Sequence, residues 1–402
     1  MAAVKCIQIP IVPLVGRKER TLSELLKAYS DIVQQSIDYT IEMGITSRKR
    51  LHEALYEKLR AKYPNLASHY IYTSFTMALG ICKSFKKRKK LGLTKRDKPE
   101  VSNLNSLMLD DYHLFKIEGK VLRLNIGNGH LYLPLKPTRF QERFLEEIRQ
   151  GAMLVKRGDR WFLNATIKRD VQPYEPIGII AYDINEKSVD ALLVKEEKTE
   201  WIHIDISEAK HIQKRYQEIR ERKRRYIKGK ARRKANNILH VATKFLVEKA
   251  LEEKVVIVTE DIKGINKGIN RKGKGVRRRL NLWSHGKISF QMNYKADWLG
   301  VPRLKDVDAK NNSKTCPVCG DARARKGWVF KCKKCGYETS SHQIACINIL
   351  KKALPQMSRV GIPFSAKALV GLSPKWLVAT VKGTKPVREG LHRQKTINIY
   401  GG

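Results

Sequence analysis

Two cysteine pairs constrain the fold of this 402-residue chain more than any other feature of its sequence. The segment CPVCGDARARKGWVFKCKKCG holds two C-x-x-C pairs with twelve residues between them, from Gly320 to Lys331. Each pair predicts a tight knuckle in which two thiolates face one centre. Four thiolates satisfy tetrahedral zinc and leave no position for water, so we expect a structural metal, with an iron–sulfur cluster as the alternative. The predicted zinc ligands are Cys316, Cys319, Cys332 and Cys335.

The other three cysteines, Cys6, Cys82 and Cys346, are scattered among apolar residues, so the chain carries no disulfide framework. This usage indicates a metal site in a reducing compartment. The sequence shows neither the apolar segment of a signal peptide nor an apolar run of about 18 residues. We therefore expect an intracellular, cytoplasmic protein that does not associate with a membrane.

Charge points to the class of partner. Lys and Arg number 81 against 39 Asp and Glu, and the formal net charge of +42 is spread along the chain. A protein this basic repels itself unless a polyanion offsets the charge, and nucleic acid does so with release of counterions. A solubilising or membrane-surface role is the alternative. The residues predicted to contact nucleic acid are Lys86, Lys87, Arg88, Lys89, Lys90, Arg277, Arg278, Arg279, Arg323 and Arg325.

The N-terminal part of the sequence changes from helical to β patterning. Residues 4–12 predict a strand, and residues 20–92 predict three helices, the first opened by a capping box at Thr21 and Glu24. Short apolar runs separated by Gly and Asn turns over residues 100–170 predict a small β-barrel or sandwich. The first strand could join it, which would make the helices an insertion between strands.

The second half of the sequence predicts a mixed α/β domain. Residues 177–194 read as a hairpin, and a long basic helical stretch follows over residues 207–253. The run KVVIVTED predicts a buried strand, residues 263–279 a mobile basic loop, and VPRLKDVDAK a further strand. We expect loop with little structure after Ala353.

Two acids stand at the ends of apolar strands. Asp183 ends IGIIAYD and Glu260 ends VVIVTE. An acid at such a place is costly to bury unless something binds it, so two acids on neighbouring strands suggest a magnesium site like that of RNase H-type nucleases. The alternative is that each acid only caps its strand or starts a turn.

At this point the order of motifs resembles the TnpB family, which is encoded in insertion sequences and related to the type V CRISPR effectors. The resemblance rests on the strand with Asp183, on VTED, on YKADWLGVPRLKDVDAKNNSKTCPVCG and on CKKCGYE. It implies an RNA-guided, Mg²⁺- or Mn²⁺-dependent DNA endonuclease in which a guide RNA pairs with double-stranded target DNA. It also implies that Asp183 and Glu260 are metal ligands and that the four cysteines hold zinc.

The third ligand is where this sequence departs from the family pattern. The family has a D-R-D step before N-A-A-x-N-I, and here Ser340, Ser341 and His342 occupy those three positions. Three interpretations stay open: His342 is a working ligand or base, the site is degenerate, or a nearby acid substitutes for the lost carboxylate. Ser340 or Ser341 can still cap the following helix. The acids considered as substitutes are Glu338, Asp308 and Asp306.

The sequence thus predicts a multidomain α/β protein with a RuvC-like mixed sheet, an inserted zinc ribbon, a helical recognition segment and a small β-barrel. The predicted function is guided DNA binding with impaired cleavage, for instance as a repressor, and we expect a monomer. An active nuclease that uses Asp183, Glu260 and His342 is the first alternative, and a guide-free DNA-binding accessory protein of a transposon is the second. The predicted domains are a barrel at 1–18 and 93–174, a helical domain at 19–92, a split RuvC-like domain at 175–307 and 339–402, and a zinc ribbon at 308–338.

Overall fold

The chain divides into two compact units in a computed structural model. One unit comprises Val4–Arg169, and the other comprises Asp170–Gly402 together with the first three residues. No helix in the part of the chain that the structure describes is long and apolar enough to span a membrane. The structure describes residues 2–101, 104–110, 112–148, 151–195, 198–223, 229–262, 264, 269–321, 329–359, 361–362, 375–380 and 395–398.

Three long helices lie in the first unit: α1 (Gly16–Glu42), α2 (Arg48–Lys62) and α3 (Ser68–Lys90). Their apolar residues recur at helical spacing and are buried, as a 3.6-residue period requires. The prediction that Thr21 opens the first helix is wrong. The helix begins five residues earlier, at Gly16, so the polar residues before Thr21 belong to its first turns. One of them, Glu19, is held there because it accepts a hydrogen bond from the Trp161 indole at 2.8 Å.

Seven strands and a short helix complete the described part of the first unit. One sheet has the strand order β1-β7-β6-β2 and the other the order β3-β4-β5. The N-terminal strand therefore pairs beside the last strand of the unit, and the helices are inserted between strands. Closure of these two sheets into a barrel stays a prediction. The elements are β1 (Ala2–Pro10), β2 (Ser106–Leu109), β3 (Phe115–Glu118), β4 (Val121–Gly127), β5 (Gly129–Pro134), α4 (Arg139–Glu142), β6 (Ala152–Arg157) and β7 (Arg160–Asp170).

A mixed sheet is the centre of the second unit. Its first three strands pair antiparallel in chain order, and the next strand along the chain pairs in parallel with the first. The strand order is β12-β11-β8-β9-β10-β15-β16, and a separate two-stranded ribbon joins β13 to β14. The strands are β8 (Gly178–Ile184), β9 (Ser188–Lys195), β10 (Lys198–Asp205), β11 (Val256–Asp261), β12 (Val307–Asp308), β13 (Val329–Lys331), β14 (Glu338–Ser340), β15 (Lys375–Thr380) and β16 (Lys395–Asn398).

Helices cover both faces of this sheet, which explains why β8 and β9 are buried almost throughout rather than at alternate residues. One face packs through Ile180 and Leu193 against Leu239 and Leu246 of α6. The opposite face packs against Ile347 and Leu350 of α9. The helices are α5 (Ser207–Lys223), α6 (Lys230–Glu252), α7 (Lys274–Leu282), α8 (His285–Leu299) and α9 (Ser341–Arg359).

Several sequence predictions for this unit need correction. The basic helical stretch predicted at 207–253 contains the helices α5 and α6. By contrast, the predicted mobile loop at 263–279 includes most of α7, because the arginine-rich segment is a good helix former despite Gly275. The chain beyond Ala353 continues α9 to Arg359 and later adds two parallel strands to the sheet edge. The strand β10 was not predicted at all.

Candidate active site

A row of titratable residues crosses the mixed sheet at the start of α9. Asp183 on β8 is the direct cross-strand partner of Asp190 on β9, and Asp190 is the partner of His203 on β10. On the other side, Thr259 pairs with Tyr182, so Glu260 stands one residue further along β11, level with Asp183. Cross-strand partners lie on the same face of a sheet, so these four side chains share one face.

Asp183 is a buried acid in a crowded negative environment. Its carboxylate is 7% exposed and accepts a hydrogen bond from Asn185 Nδ2 at 2.9 Å. Burial, followed by the negative charges of Glu260 and Asp190, raises the pKa of Asp183 to about 8. A bound cation would offset both causes, so this is a plausible chemical environment for a metal ligand.

Glu260 is held by the side chain of Asn312, which a second asparagine positions in turn. Asn312 Nδ2 donates to Glu260 Oε2 at 2.7 Å and to the Asp308 carbonyl at 3.1 Å. Asn348 on α9 in turn donates to the carbonyls of Asn312 and Thr315, at 2.7 and 2.8 Å. Burial raises the pKa of Glu260, although the Asn312 hydrogen bond opposes that shift. Asn348, in the INIL motif of α9, therefore fixes the position of the second acid through Asn312.

His342 lies on Asp190, not on the other two predicted catalytic residues. Its Nδ1 is 3.4 Å from Asp190 Oδ2. Asp190 is 6% exposed and also accepts from Asn185 at 2.9 Å, from Ser188 at 2.5 Å and from His203 at 2.5 Å. Burial alone would raise the pKa of Asp190, but the hydrogen bond and charge of His203 and the charge of His342 lower it on balance. Asp190 is therefore an ionised anchor for both histidine rings.

A cleft of about 420 Å³ opens beside the first two acids. Asp183 and Glu260 line it from the sheet, and Ser341 and Ala345 line it from α9. Lys272 and Arg279 line it as well, so the cleft has an acidic floor and a basic rim suited to a phosphodiester. The structure thus brings Asp183 and Glu260 together, whereas His342 is not among the residues that line the cleft.

The substitute acids lie elsewhere. Glu338 is exposed and pairs with Lys331 at 3.3 Å. The charge of Asp308 contributes to the raised pKa of Glu260, while Asp306 acts on Tyr182 in the same way. None of the three is among the residues that line the cleft described above.

The four cysteines converge as their spacing predicts. Their sulfur atoms all lie within 4.8 Å of one another, the only such group of three or more Cys, His, Asp or Glu ligands among the described residues. Gly320 and Gly336 follow the two pairs with φ of +74°, a conformation that favours glycine, and each donates to the carbonyl of the first cysteine of its pair at 3.0 Å. The donor set fits structural zinc.

The cysteine ribbon is connected to the start of α9. Cys316, Cys332 and Phe330 form a small buried cluster with Ile344 of the helix. The strand β14 ends at Ser340, directly before Ser341. A metal that orders the ribbon therefore also orders the helix turn that carries Ser341 and His342.

The predicted nucleic-acid contacts occupy two described surfaces. Lys86 to Lys90 form the exposed last turn of α3. Arg279 of α7 lines the cleft and lies 3.0 Å from Glu186, whereas Arg278 pairs with Glu221 at 2.5 Å and Arg277 is exposed. Arg323 and Arg325 lie outside the described residues.

Sequence reasoning missed the residues that orient the site. Asp190 was passed over because it lies within the run SVDALLV, although an acid inside an apolar strand is itself a signal of a buried partner. His203 was missed together with its strand. Asn185, Asn312 and Asn348 lie in turn and helix motifs. Nothing in those motifs indicates to which oxygen atoms their side-chain amides donate.

Known proteins share segments of this sequence. The profile of the Cas12f1-like TNB domain matches residues 285–349, and that of the uncharacterized protein MJ0013 family matches residues 25–125. The TnpB-like protein MJ0751 of Methanocaldococcus jannaschii is 28% identical over 263 residues, which are 60% of this chain and 93% of that protein. By these matches the chain is similar to TnpB-like proteins, as its motifs predict. The TNB match spans α8, the described cysteine ligands and the start of α9.

Two further proteins show more limited likeness to this chain. The CRISPR-associated endodeoxyribonuclease Cas12f1 of Sulfoacidibacillus thermotolerans is 33% identical over 86 residues, 21% of this chain and 19% of that protein. The mini RNA-guided endonuclease CRISPR-Cas_phi3 has a solved structure with a TM-score of 0.47 and 10% identity, covering 90% of this chain and 93% of that one. That structural likeness is too weak to carry a conclusion.

Proposed function

We propose that this protein is a TnpB-type RNA-guided DNA-binding protein whose cleavage activity is impaired, with a role such as repression. The observation that carries this proposal is the position of His342. The residue stands where the family pattern has a third carboxylate, and its ring lies on Asp190 rather than in the cleft. Two carboxylates, Asp183 and Glu260, are left to serve the chemistry.

The topology supports a RuvC-like, RNase H-type domain as the framework of this site. Three antiparallel strands, β8 to β10, are followed by β11, which adds in parallel beside β8, and by β12, which adds in parallel beside β11. Asp183 and Glu260 stand on the neighbouring strands β8 and β11, near the ends of these strands. We retain the predicted domain boundaries, with the zinc ribbon inserted at 308–338 and the barrel and helical domains preceding residue 175.

Mg²⁺ or Mn²⁺, when bound, would supply activation of a water and stabilisation of the leaving oxygen of a phosphodiester. Asp183 and Glu260 would hold it, since hard cations prefer carboxylate oxygens. Asn185 and Asn312 orient these two carboxylates through their amide hydrogens. Arg279 and Lys272 would bind the phosphate backbone at the rim, and the cysteine ribbon with its zinc would fix the start of α9.

The proposed partners are a guide RNA and double-stranded target DNA. The basic turn at Lys86 to Lys90 and the arginines of α7 offer phosphate contacts on described surfaces. The names of the relatives support this proposal, since Cas12f1 is an endodeoxyribonuclease. In this proposal the protein acts as a monomer at the nucleoid, and base pairing by the guide supplies the sequence choice.

An active nuclease is the second candidate, favoured by the convergence of Asp183 and Glu260 on one cleft with a basic rim. In that case His342 would act through Asp190 or would move to the cleft when substrate binds. The two candidates make the same prediction for binding and opposite predictions for cleavage.

Guided binding is tested by purifying the full-length protein and sequencing the RNA that accompanies it. We expect one defined RNA, and we expect the loaded protein to retain matched duplex DNA at concentrations where mismatched DNA is not retained. Loss of RNA without any change in DNA binding would instead support the guide-free accessory protein. Equal retention of both DNAs by the loaded protein would contradict the proposal.

A further inference from the structure

Ser341 is a buried polar residue whose hydroxyl has no use within the fold. Its side chain is 1% exposed, and its Oγ has no hydrogen-bond partner among the described residues. The residue lines the cleft together with Asp183 and Glu260. A buried hydroxyl without a partner is destabilising, so its position beside two carboxylates calls for a ligand.

Capping of α9 does not explain this hydroxyl, because the neighbouring Ser340 performs that role. Gln343 N–H donates to Ser340 Oγ at 3.2 Å, and Ser340 N–H donates to Gln343 Oε1 at 3.1 Å. This reciprocal arrangement satisfies the first turn of the helix. The Ser341 hydroxyl is therefore available to something that enters the cleft.

His342 is held away from the same position. Its Nδ1 faces Asp190, whose two oxygens already accept from Ser188, Asn185 and His203. On a helix, neighbouring side chains diverge by about 100°. With His342 directed at Asp190 on β9, the preceding residue is the one that lines the cleft.

We propose that Ser341 Oγ is the third protein oxygen for a single divalent cation held in the cleft by Asp183 and Glu260, and that His342 is a positioning residue. This inference rests on the proposed metal role of the two acids. Serine hydroxyls serve as Mg²⁺ ligands in phosphate-binding loops, so the chemistry is appropriate for a hard cation. Two carboxylates and one neutral hydroxyl balance the charge of one divalent ion and leave none for a second.

The test is a titration of the zinc-loaded, full-length protein with Mn²⁺, followed by electron paramagnetic resonance of the free ion. We expect the unchanged protein to bind one Mn²⁺ that is lost in Asp183→Ala. Ser341→Ala is expected to weaken that binding by about tenfold, the scale on which single contacts tune metal affinity. Ser340→Ala is the matched control, because its hydroxyl serves the helix backbone, and its Mn²⁺ affinity should be unchanged.

A second variant separates ligation from any effect on folding. Ser341→Cys replaces the oxygen by sulfur in nearly the same volume, so Mn²⁺ affinity should fall while affinity for the thiophilic ion Cd²⁺ rises relative to the unchanged protein. Neither a structural role nor misfolding would produce that reversal.

The outcomes distinguish this inference from the proposed function. Equal Mn²⁺ affinity in the unchanged protein and in Ser341→Ala, with loss in Asp183→Ala, would overturn the role of Ser341 and leave the metal site intact. Mn²⁺ binding that Asp183→Ala does not alter would overturn both the role of Ser341 and the metal role of the acids. Guided DNA binding, measured separately, is unaffected by either result.

Discussion

At the scale of single residues, Asp190 is the side chain on which the candidate site depends most. It is ionised although it is buried, because Asn185 and Ser188 of its own hairpin, His203 of β10 and His342 of α9 all face it. Separating a buried charge from its partners strongly destabilises the folded protein. Asp190 therefore determines the direction of His342 and, through Asn185, also contacts the group that orients Asp183.

Removal of this carboxylate should destabilise the second unit. We expect Asp190→Ala to lower the free energy of unfolding by about 3–5 kcal/mol, because His203, Ser188 and Asn185 lose their acceptor. Urea unfolding followed by circular dichroism measures the change. Asp97→Ala is the control, since that carboxylate is 99% exposed and pairs only with an exposed lysine, and it should change the free energy by less than about 0.5 kcal/mol. Equal effects of the two substitutions would contradict this account of Asp190.

At the scale of elements, α9 connects the cysteine ribbon to both acids of the cleft. Its Ile344 packs on the cysteine cluster, its Asn348 holds the loop of Asn312, and its first residue lines the cleft. The arrangement explains why the cysteine ribbon stands so near the site in sequence.

Loss of zinc should therefore destabilise the start of α9. We expect Cys319→Ser to lose the metal and to increase amide hydrogen exchange in β13, β14 and the first turn of α9, while β8 and β9 stay protected. Mass spectrometry of the intact protein and of its peptides measures both effects. Cys82→Ser, at a buried cysteine far from the ribbon in sequence, is the control and should retain zinc. Unchanged exchange at residues 341–345 after metal loss would contradict the coupling.

A second element-scale feature is the end of α6, where Glu253 meets three lysines. Lys249 and Lys195 lie 3.0 and 3.1 Å from its carboxylate, and Lys198 contacts it as well. Burial alone would raise the pKa of Glu253, but the hydrogen bonds from these lysines lower it to about 2. A carboxyl whose pKa is depressed on folding stabilises the protein above its unfolded pKa of about 4.3.

The stabilisation should disappear as the pH falls from about 4.3 towards 2, because Glu253 is then protonated in the folded state also. We expect Glu253→Gln to be less stable than the unchanged protein by about 1–3 kcal/mol at pH 7, and the difference to narrow below pH 4. Urea unfolding at a series of pH values gives the difference. A gap that stays constant down to pH 2.5 would show that the cluster is not held by the charge of this carboxyl.

Much of the architecture could be predicted from particular patterns. The two C-x-x-C pairs fixed the cysteine cluster, and the apolar runs around NEKS predicted the hairpin that carries Asp183. The strand β10 was missed because KTEWIHID alternates charges with apolar residues, so its buried face is visible only once β9 is known to pair with it. Ser341 was taken as a possible cap because sequence cannot tell which of two adjacent serines faces the helix backbone and which faces a cleft.

At the scale of the whole molecule, the net charge of +42 is the dominant physical property. A positive excess of this size favours binding to phosphates with a strong dependence on salt, because each neutralised phosphate releases a counterion. Within the described residues the excess includes exposed clusters such as the last turn of α3, but also lysines paired with acids. The two kinds of lysine should differ in their effect on binding.

We expect the double substitution Lys86→Gln and Lys87→Gln to reduce the slope of log affinity against log salt by about 2 for duplex DNA. The matched control is Lys116→Gln with Lys120→Gln, whose lysines pair with Glu118 at 3.7 Å and with Glu142 at 2.7 Å. The control should leave the slope nearly unchanged. Filter binding of guide-loaded protein between 50 and about 300 mM salt measures it. Equal slopes for the two double variants would show that the last turn of α3, at Lys86, does not contact the DNA.

The proposed function requires that the protein binds DNA selected by a guide RNA. It also requires that cleavage of this DNA is poor, because the third carboxylate is missing from the cleft. Restoring that acid requires two changes, since an aspartate at position 342 would face the charge of Asp190. In the combined variant His342→Asp with Asp190→Asn, no charge at position 190 holds or repels residue 342, so the new carboxylate is free to turn to the cleft.

The most direct measurement is cleavage of a matched plasmid by guide-loaded protein in Mg²⁺ or Mn²⁺. We expect the unchanged protein to cut at the background rate of Asp183→Ala, and the combined variant to cut faster by about two orders of magnitude, the scale of one electrostatic group in an active site. Rapid cleavage by the unchanged protein that Asp183→Ala abolishes would contradict the claim and establish the active nuclease instead.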